Sequence, residues 1–70
     1  MIRKLFIINT QDIKIFHFII EGYERMATVS TLDPRKAVIQ VLIMPDFQQE
    51  MKTILSHLQD IITMIEIPVC

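Results

Sequence analysis

The sequence predicts an α+β sandwich with the element order β-α-β-β-α-β, which is the order of ferredoxin-like sandwiches. Two segments carry apolar side chains at helical spacing, and four others are short apolar or β-branched runs of strand length. With right-handed crossovers, this order gives a four-stranded antiparallel sheet of spatial order 4-1-3-2 with both helices on one face. A chain of 70 residues suits a single domain, so residues 1–70 are interpreted as one ferredoxin-like unit.

The first strand is predicted over residues 2–8, where apolar side chains fall on both faces, as in a central strand. Asn9 is expected to cap the helix that follows, with Asp12 as the acidic residue of its first turn. Gly22 is the only glycine, and we expect it to end this helix in a left-handed conformation. The stripe that should face the sheet consists of Ile13, Phe16, Ile19, Ile20 and Tyr23.

Two further strands are predicted in the middle of the chain. Residues 25–32 are rich in Thr, Ser and Val, and their polarity indicates an edge strand. Residues 33–36, with Pro34 at the second position, are typical of a tight turn. Residues 37–44 are apolar apart from one glutamine and predict a second central strand.

A second helix is predicted from Pro45 and Asp46, because an acidic residue followed three positions later by Gln49 is a capping signal. We expect this helix to run to about Asp60. Its apolar stripe consists of Phe47, Met51, Ile54, Leu55 and Leu58.

The last segment is ambiguous from its pattern. Ile61, Ile62 and Ile65 continue the helical stripe, whereas residues 63–67 also have the β-branched composition of a strand. We favour a strand over residues 62–67, because it completes the four-stranded sheet.

The apolar content is higher than one thin core needs. Hydrophobic residues make up 51% of the chain, and the mean hydropathy is +0.42. Both central strands are apolar on both faces, so the sheet face away from the helices should expose apolar surface. We therefore expect a homodimer or larger homo-oligomer that buries this face; the alternative is that the tail of the chain folds over the sheet. Phe18 points nearly opposite the stripe of the first helix and offers a second contact.

The sequence argues against a membrane or secreted protein. No run of about 20 apolar residues is present, and the N-terminus lacks the pattern of a signal peptide. Cys70 is the only cysteine, so no intramolecular disulfide can form, and a frayed, inert thiol is expected there. We expect a cytoplasmic protein without a membrane partner.

No constellation of residues in the sequence indicates catalysis, a metal site or a cofactor. His17 and His57 lack a metal-ligand spacing and are interpreted as partly exposed helix residues. One glycine cannot build a phosphate-binding loop, and the net charge of -1 gives no attraction to nucleic acid. A nucleic-acid partner and an enzyme are therefore not expected.

The segment from Glu21 to Pro34, EGYERMATVSTLDP, resembles a family of short, uncharacterised bacterial proteins known as a domain of unknown function. Those proteins resemble this chain in a helix that ends E-G-Y, a strand leading to T-x-D-P, and a hydrophobic strand before P-D, here Pro45-Asp46. The resemblance spans roughly residues 5–58 and implies no established activity. In size and topology the chain also resembles ACT-type regulatory modules, which implies pairing between subunits and small ligands at the interface. The glycine that commonly follows strand one in those modules is missing, so the resemblance does not carry amino-acid binding over.

The hypothesis from the sequence is a non-enzymatic, self-associating regulatory or structural module. One alternative is an adaptor that docks on a different protein through Phe18 and the open sheet face, and another is an enzyme with an unrecognised site. The candidate interface or ligand-binding residues are Phe18, Glu21, Tyr23, Thr31 and Asp33.

Overall fold

A computed structural model describes residues 1–68 and confirms an α+β fold on an open, four-stranded antiparallel sheet. The strands are β1 (Ile2–Ile8), β2 (Ala27–Asp33), β3 (Val38–Ile43) and β4 (Met64–Ile67), and the helices are α1 (Ile13–Glu21) and α2 (Gln48–Gln59). The order across the sheet is β2-β3-β1-β4, which is 4-1-3-2 when it is read from the β4 edge. The two apolar strands, β1 and β3, therefore lie in the centre, and the polar β2 lies at an edge, as the sequence predicts.

The core lies between the two helices and one face of the sheet. On this face Phe6 of β1 pairs with Ile39 of β3, and the Phe6 ring lies 6.4 Å from the Phe16 ring of α1. Both helices contribute to one buried cluster, so they cover the same side of the sheet. The largest fully buried side chains are Phe6, Ile39, Val41 and Ile43 of the strands and Phe16, Ile20 and Met51 of the helices.

The start of α1 differs from the prediction that the Asn9 side chain caps the helix. A short 3₁₀ turn over Thr10–Asp12 precedes the helix, and the Asn9 side chain makes no capping hydrogen bond. The backbone closes the turn instead, because the Asp12 N–H donates to the Asn9 carbonyl at 2.9 Å. The helix therefore begins at Ile13.

The end of α1 falls where the sequence predicts it, but the predicted left-handed conformation of Gly22 is wrong. Gly22 has φ -65 and ψ -16, which is right-handed. The chain leaves the helix through successive turns, since the Tyr23 N–H donates to the Ile20 carbonyl and the Met26 N–H donates to the Tyr23 carbonyl. These turns place Tyr23 outside the helix and delay β2 to Ala27, two residues later than predicted.

The connection from β2 to β3 is the predicted tight turn. Asp33 Oδ1 accepts hydrogen bonds from the N–H groups of Arg35 and Lys36, at 3.0 Å and 3.2 Å. Ala37, at the end of the turn, has φ 54 and is the one non-glycine residue with positive φ among residues 1–68. That conformation costs a residue with a Cβ roughly 1–2 kcal/mol. Within residues 1–68, the left-handed residue is therefore in the hairpin, not at the end of α1.

The second helix also begins without the predicted side-chain cap. Residues Pro45–Phe47 form a 3₁₀ turn closed by the Phe47 N–H and the Met44 carbonyl at 2.9 Å. Asp46 lies in this first turn without a capping hydrogen bond, so the prediction that it caps the helix through its side chain is wrong.

The last segment is a strand, as favoured from the sequence. The chain makes a last helical turn in which the Ile62 N–H donates to the Leu58 carbonyl at 2.7 Å, and Ile62 is buried in the core. β4 then starts at Met64, two residues later than predicted, and pairs antiparallel with β1.

Candidate functional site

The sheet face away from the helices carries an apolar surface, as the sequence predicts. Side chains alternate along a strand, so the sequence neighbours of the buried residues in β1 and β3 point to this second face. The register places Ile65 and Ile67 of β4 on the same face. Within residues 1–68, neither helix buries its apolar side here. We name this surface the open face and define its apolar part as Leu5, Ile7, Val38, Leu42, Ile65 and Ile67.

The register groups these side chains into one block. Ile7 pairs with Val38 on one side and with Ile65 on the other, so three aliphatic side chains lie in a row across β3, β1 and β4. Ile65 is 61% exposed and Ile7 is 38% exposed. Covering these aliphatic side chains with another apolar surface removes them from water, which lowers the free energy of the system.

Polar side chains border the block on the side of β2. Arg3 Nε donates a hydrogen bond to Gln40 Oε1 at 2.6 Å, and Thr28 and Ser30 occupy the neighbouring positions of β2. The charged residues among the paired positions of this face are Arg3 on β1 and Asp33, which pairs with Val38 at the end of β2. An apolar centre with a polar border is typical of a protein contact surface.

The open face is small. Four strands about 4.8 Å apart, with six paired residues of about 3.3 Å each, cover about 400 Å². The three strands that carry the apolar part account for about 300 Å² of this area. The largest apolar patch on a typical monomer measures roughly 300–600 Å², and such a patch is often functional.

The candidate residues of α1 and the turn after it lie on the other layer of the molecule. Phe18 is 77% exposed, which confirms that it points away from the core. Ile15, one turn earlier, is also exposed, so the two form an apolar pair on the outer side of α1. Glu21 and Tyr23 are exposed near the C-terminal end of the same helix.

The other two candidate residues have local hydrogen-bonding roles. Thr31 Oγ1 lies 2.8 Å from His17 Nε2, and this hydrogen bond ties β2 to α1. Asp33 closes the hairpin turn through the two N–H groups described above. Since Ala27 and Asp33 are six residues apart on β2, Tyr23 and Asp33 lie at strand ends separated by about 20 Å. The structure therefore does not bring the five candidate residues together in one site.

A group of charged residues that the sequence reasoning missed lies between α2 and strands β1 and β4. Lys4 Nζ is 3.3 Å from Glu66 Oε2, and Lys52 of α2 lines the same space. Lys4 alternates in phase with Phe6 and Ile8, so it lies on the helix-covered face of the sheet. This interruption of an apolar alternation was the available signal.

The described part of the chain has no cluster of three or more His, Cys, Asp or Glu side chains that could hold a metal ion. His57 is exposed on α2, and His17 makes the hydrogen bond to Thr31. The expectation for Cys70 lies outside the described residues. None of the helices within residues 1–68 has the length and apolar character needed to cross a membrane.

Comparison with known families matches residues 6–62 to the family described as Domain of unknown function (DUF4911). No curated protein and no solved structure matches the chain significantly. The matched range contains the segment whose pattern resembles an uncharacterised family.

Proposed function

Because the chain belongs to the DUF4911 family, whose function is unknown, we propose its role from the geometry: a non-enzymatic module that associates with a second copy of itself through the open face. We assign the fold to the ferredoxin-like, ACT-like class as part of this proposal. The proposal also retains the cytoplasm as its compartment and assigns neither nucleic acid nor a membrane as a partner. The observation that carries it is the aliphatic row of Val38, Ile7 and Ile65 across three neighbouring strands.

A second copy suits this face because the face is self-complementary. Two sheets pack face to face at about 10 Å, with their strands nearly aligned, and interdigitate aliphatic side chains. A two-fold axis presents the same patch from both subunits, so an apolar block meets an apolar block. Arg3 lies near the start of β1 and Asp33 at the end of β2, so both charges lie outside the row of Val38, Ile7 and Ile65.

The size of the face determines how stable such a dimer is. Two faces of about 400 Å² bury about 800 Å² in total, which is below the roughly 1,200–2,000 Å² of stable, specific complexes. We therefore expect a transient dimer that dissociates on dilution and responds to local concentration.

The test is sedimentation equilibrium of the wild type and of Ile65→Lys between about 10 µM and 500 µM, the range in which an interface of this size should respond. A lysine at position 65 places a charge against the apolar block of the partner, so the dissociation constant should rise at least about tenfold. The side chain is 61% exposed in the monomer, so the variant should fold.

Ile15→Lys is the matched control, because Ile15 is also exposed but lies on α1 on the opposite layer. It should associate like the wild type. A wild type that stays monomeric over the whole range, or an equal effect of both variants, would overturn the proposal.

A second candidate function is an adaptor for a different protein, and the exposure of Phe18 favours it. Phe18→Ala should then abolish the binding of a purified partner at one-to-one stoichiometry, while leaving self-association unchanged. If self-association itself depends on Phe18, the dimer interface lies on α1 rather than on the open face.

A further inference from the structure

We propose that the space between α2 and strands β1 and β4 binds a small amphipathic monocarboxylate. This space is a groove of about 370 Å³ on the side of the sheet opposite to the open face. The inference does not depend on self-association, because a dimer formed through the open face leaves the groove accessible. The groove is lined by Ile2, Lys4, Phe6, Ile43 and Glu66 of the sheet and by Gln48, Lys52, Leu55, Ser56 and Gln59 of the region of α2.

The floor of the groove is apolar. Phe6 and Ile43 form it from the sheet and Leu55 forms it from α2, and each of these side chains is part of the core. A ligand that contacts the accessible part of this floor removes its own apolar surface from water. The floor therefore accepts a ring or a short alkyl chain.

The rim of the groove is positively charged, although the whole chain has a net charge of -1. Two lysines, Lys4 and Lys52, face a single carboxylate, Glu66. Glu66 is engaged by Lys4 at 3.3 Å, and no carboxylate within residues 1–68 lies within ion-pair distance of Lys52. The Lys52 ammonium is therefore available to an anionic head group.

The excess of one positive charge favours a monoanion over a phosphate, which carries up to two charges and is bound best by arginines or by several backbone N–H groups. The volume is at the lower end of the roughly 300–1,000 Å³ found for small-molecule sites. A carboxylate attached to one ring or a short chain meets both conditions.

The test is an amide NMR titration of the full chain with phenylbutyrate, phenylbutanol and phenylbutylamine, which share one apolar body and differ in the head group. We expect saturable shifts at the amides of Lys4, Lys52 and Glu66. Phenylbutyrate should bind most tightly and the amine most weakly. Equal binding of the alcohol or the amine, or the absence of saturation, would overturn the proposal.

Two variants link the binding to the groove. Lys52→Gln should weaken phenylbutyrate binding about fivefold and leave phenylbutanol binding unchanged, because it removes the charge at the rim. Lys36→Gln is the matched control, since it removes the same charge in the β2–β3 turn, away from the groove. Equal effects of the two lysine variants would contradict the assignment.

Ser56→Leu keeps every charge and fills the groove from the exposed side of α2. This variant should show no saturable amide shifts with any of the three compounds, while its own amide spectrum should remain that of the folded protein. Undiminished binding to this variant would place the compounds elsewhere and would overturn the proposal.

Discussion

Asp33 shows how a polar residue that stands out in the sequence can serve the fold. Its carboxylate accepts hydrogen bonds from two backbone N–H groups. These hydrogen bonds stabilise the turn in which Ala37 takes a positive φ. Thr31 is used in a similar way, by the hydrogen bond to His17 that joins an edge strand to a helix. At the residue scale, the T-L-D-P segment can therefore be explained by hairpin geometry without a ligand.

Asp33→Ala should lower the free energy of unfolding by about 1–2 kcal/mol, because it leaves two N–H groups of the turn without their acceptor. Asp33→Asn should retain most of the stability, since the amide oxygen can accept the same hydrogen bonds. Urea denaturation of both variants measures the difference. Glu24→Ala, which removes an exposed carboxylate without a hydrogen bond among residues 1–68, should change stability by less than about 0.5 kcal/mol. A similar loss for Asp33→Ala and Glu24→Ala would contradict this role.

The ion pair of Lys4 and Glu66 in the groove is only partly predictable from the sequence. The phase of Lys4 within β1 could be taken from the sequence, because it shares parity with Phe6 and Ile8. Its pairing with Glu66 could not, since the two are 62 positions apart and meet through the register of β1 and β4. A contact of this kind depends on tertiary pairing, which no local pattern encodes.

At the element scale, apolar periodicity and turn residues predict the elements better than they predict their ends. The sequence predicts β1 over the same residues that form it, because apolar side chains fill both faces. The starts of α1 and α2 differ from the prediction because backbone carbonyls, rather than the side chains of Asn9 and Asp46, close the turns that precede them. β4 starts late because Ile62 lies in the helical turn that follows α2 and is buried in the core.

Gly22→Ala tests the element-scale account of how α1 ends. At φ -65 an alanine is tolerated and reduces the entropy of the unfolded chain, although its Cβ would lie 3.2 Å from the Ile19 carbonyl oxygen. We expect the two effects to offset each other, so that the free energy of unfolding changes by less than about 0.5 kcal/mol. A left-handed glycine would instead lose about 1–2 kcal/mol on this substitution. Chemical denaturation distinguishes the two results.

At the scale of the whole molecule, two helices cover one face of a four-stranded sheet and leave the other face uncovered in the described part of the chain. The sequence predicts this imbalance, because β1 and β3 are apolar on both faces while the helical stripes suffice for only one. The sequence does not predict which residues form a contiguous patch, since that depends on the alignment of Ile7 with Val38 and Ile65. The central claim is that a second copy of the chain covers this patch.

The most direct test of that claim is the dependence of the amide NMR spectrum on protein concentration. We expect the amides of Leu5, Ile7, Val38 and Ile65 to shift together on dilution from about 500 µM to about 10 µM and to yield one dissociation constant. The amides of Ile15 and Phe18, on the opposite layer, should stay in place. Shifts confined to α1, or a spectrum that is unchanged on dilution, would contradict the claim.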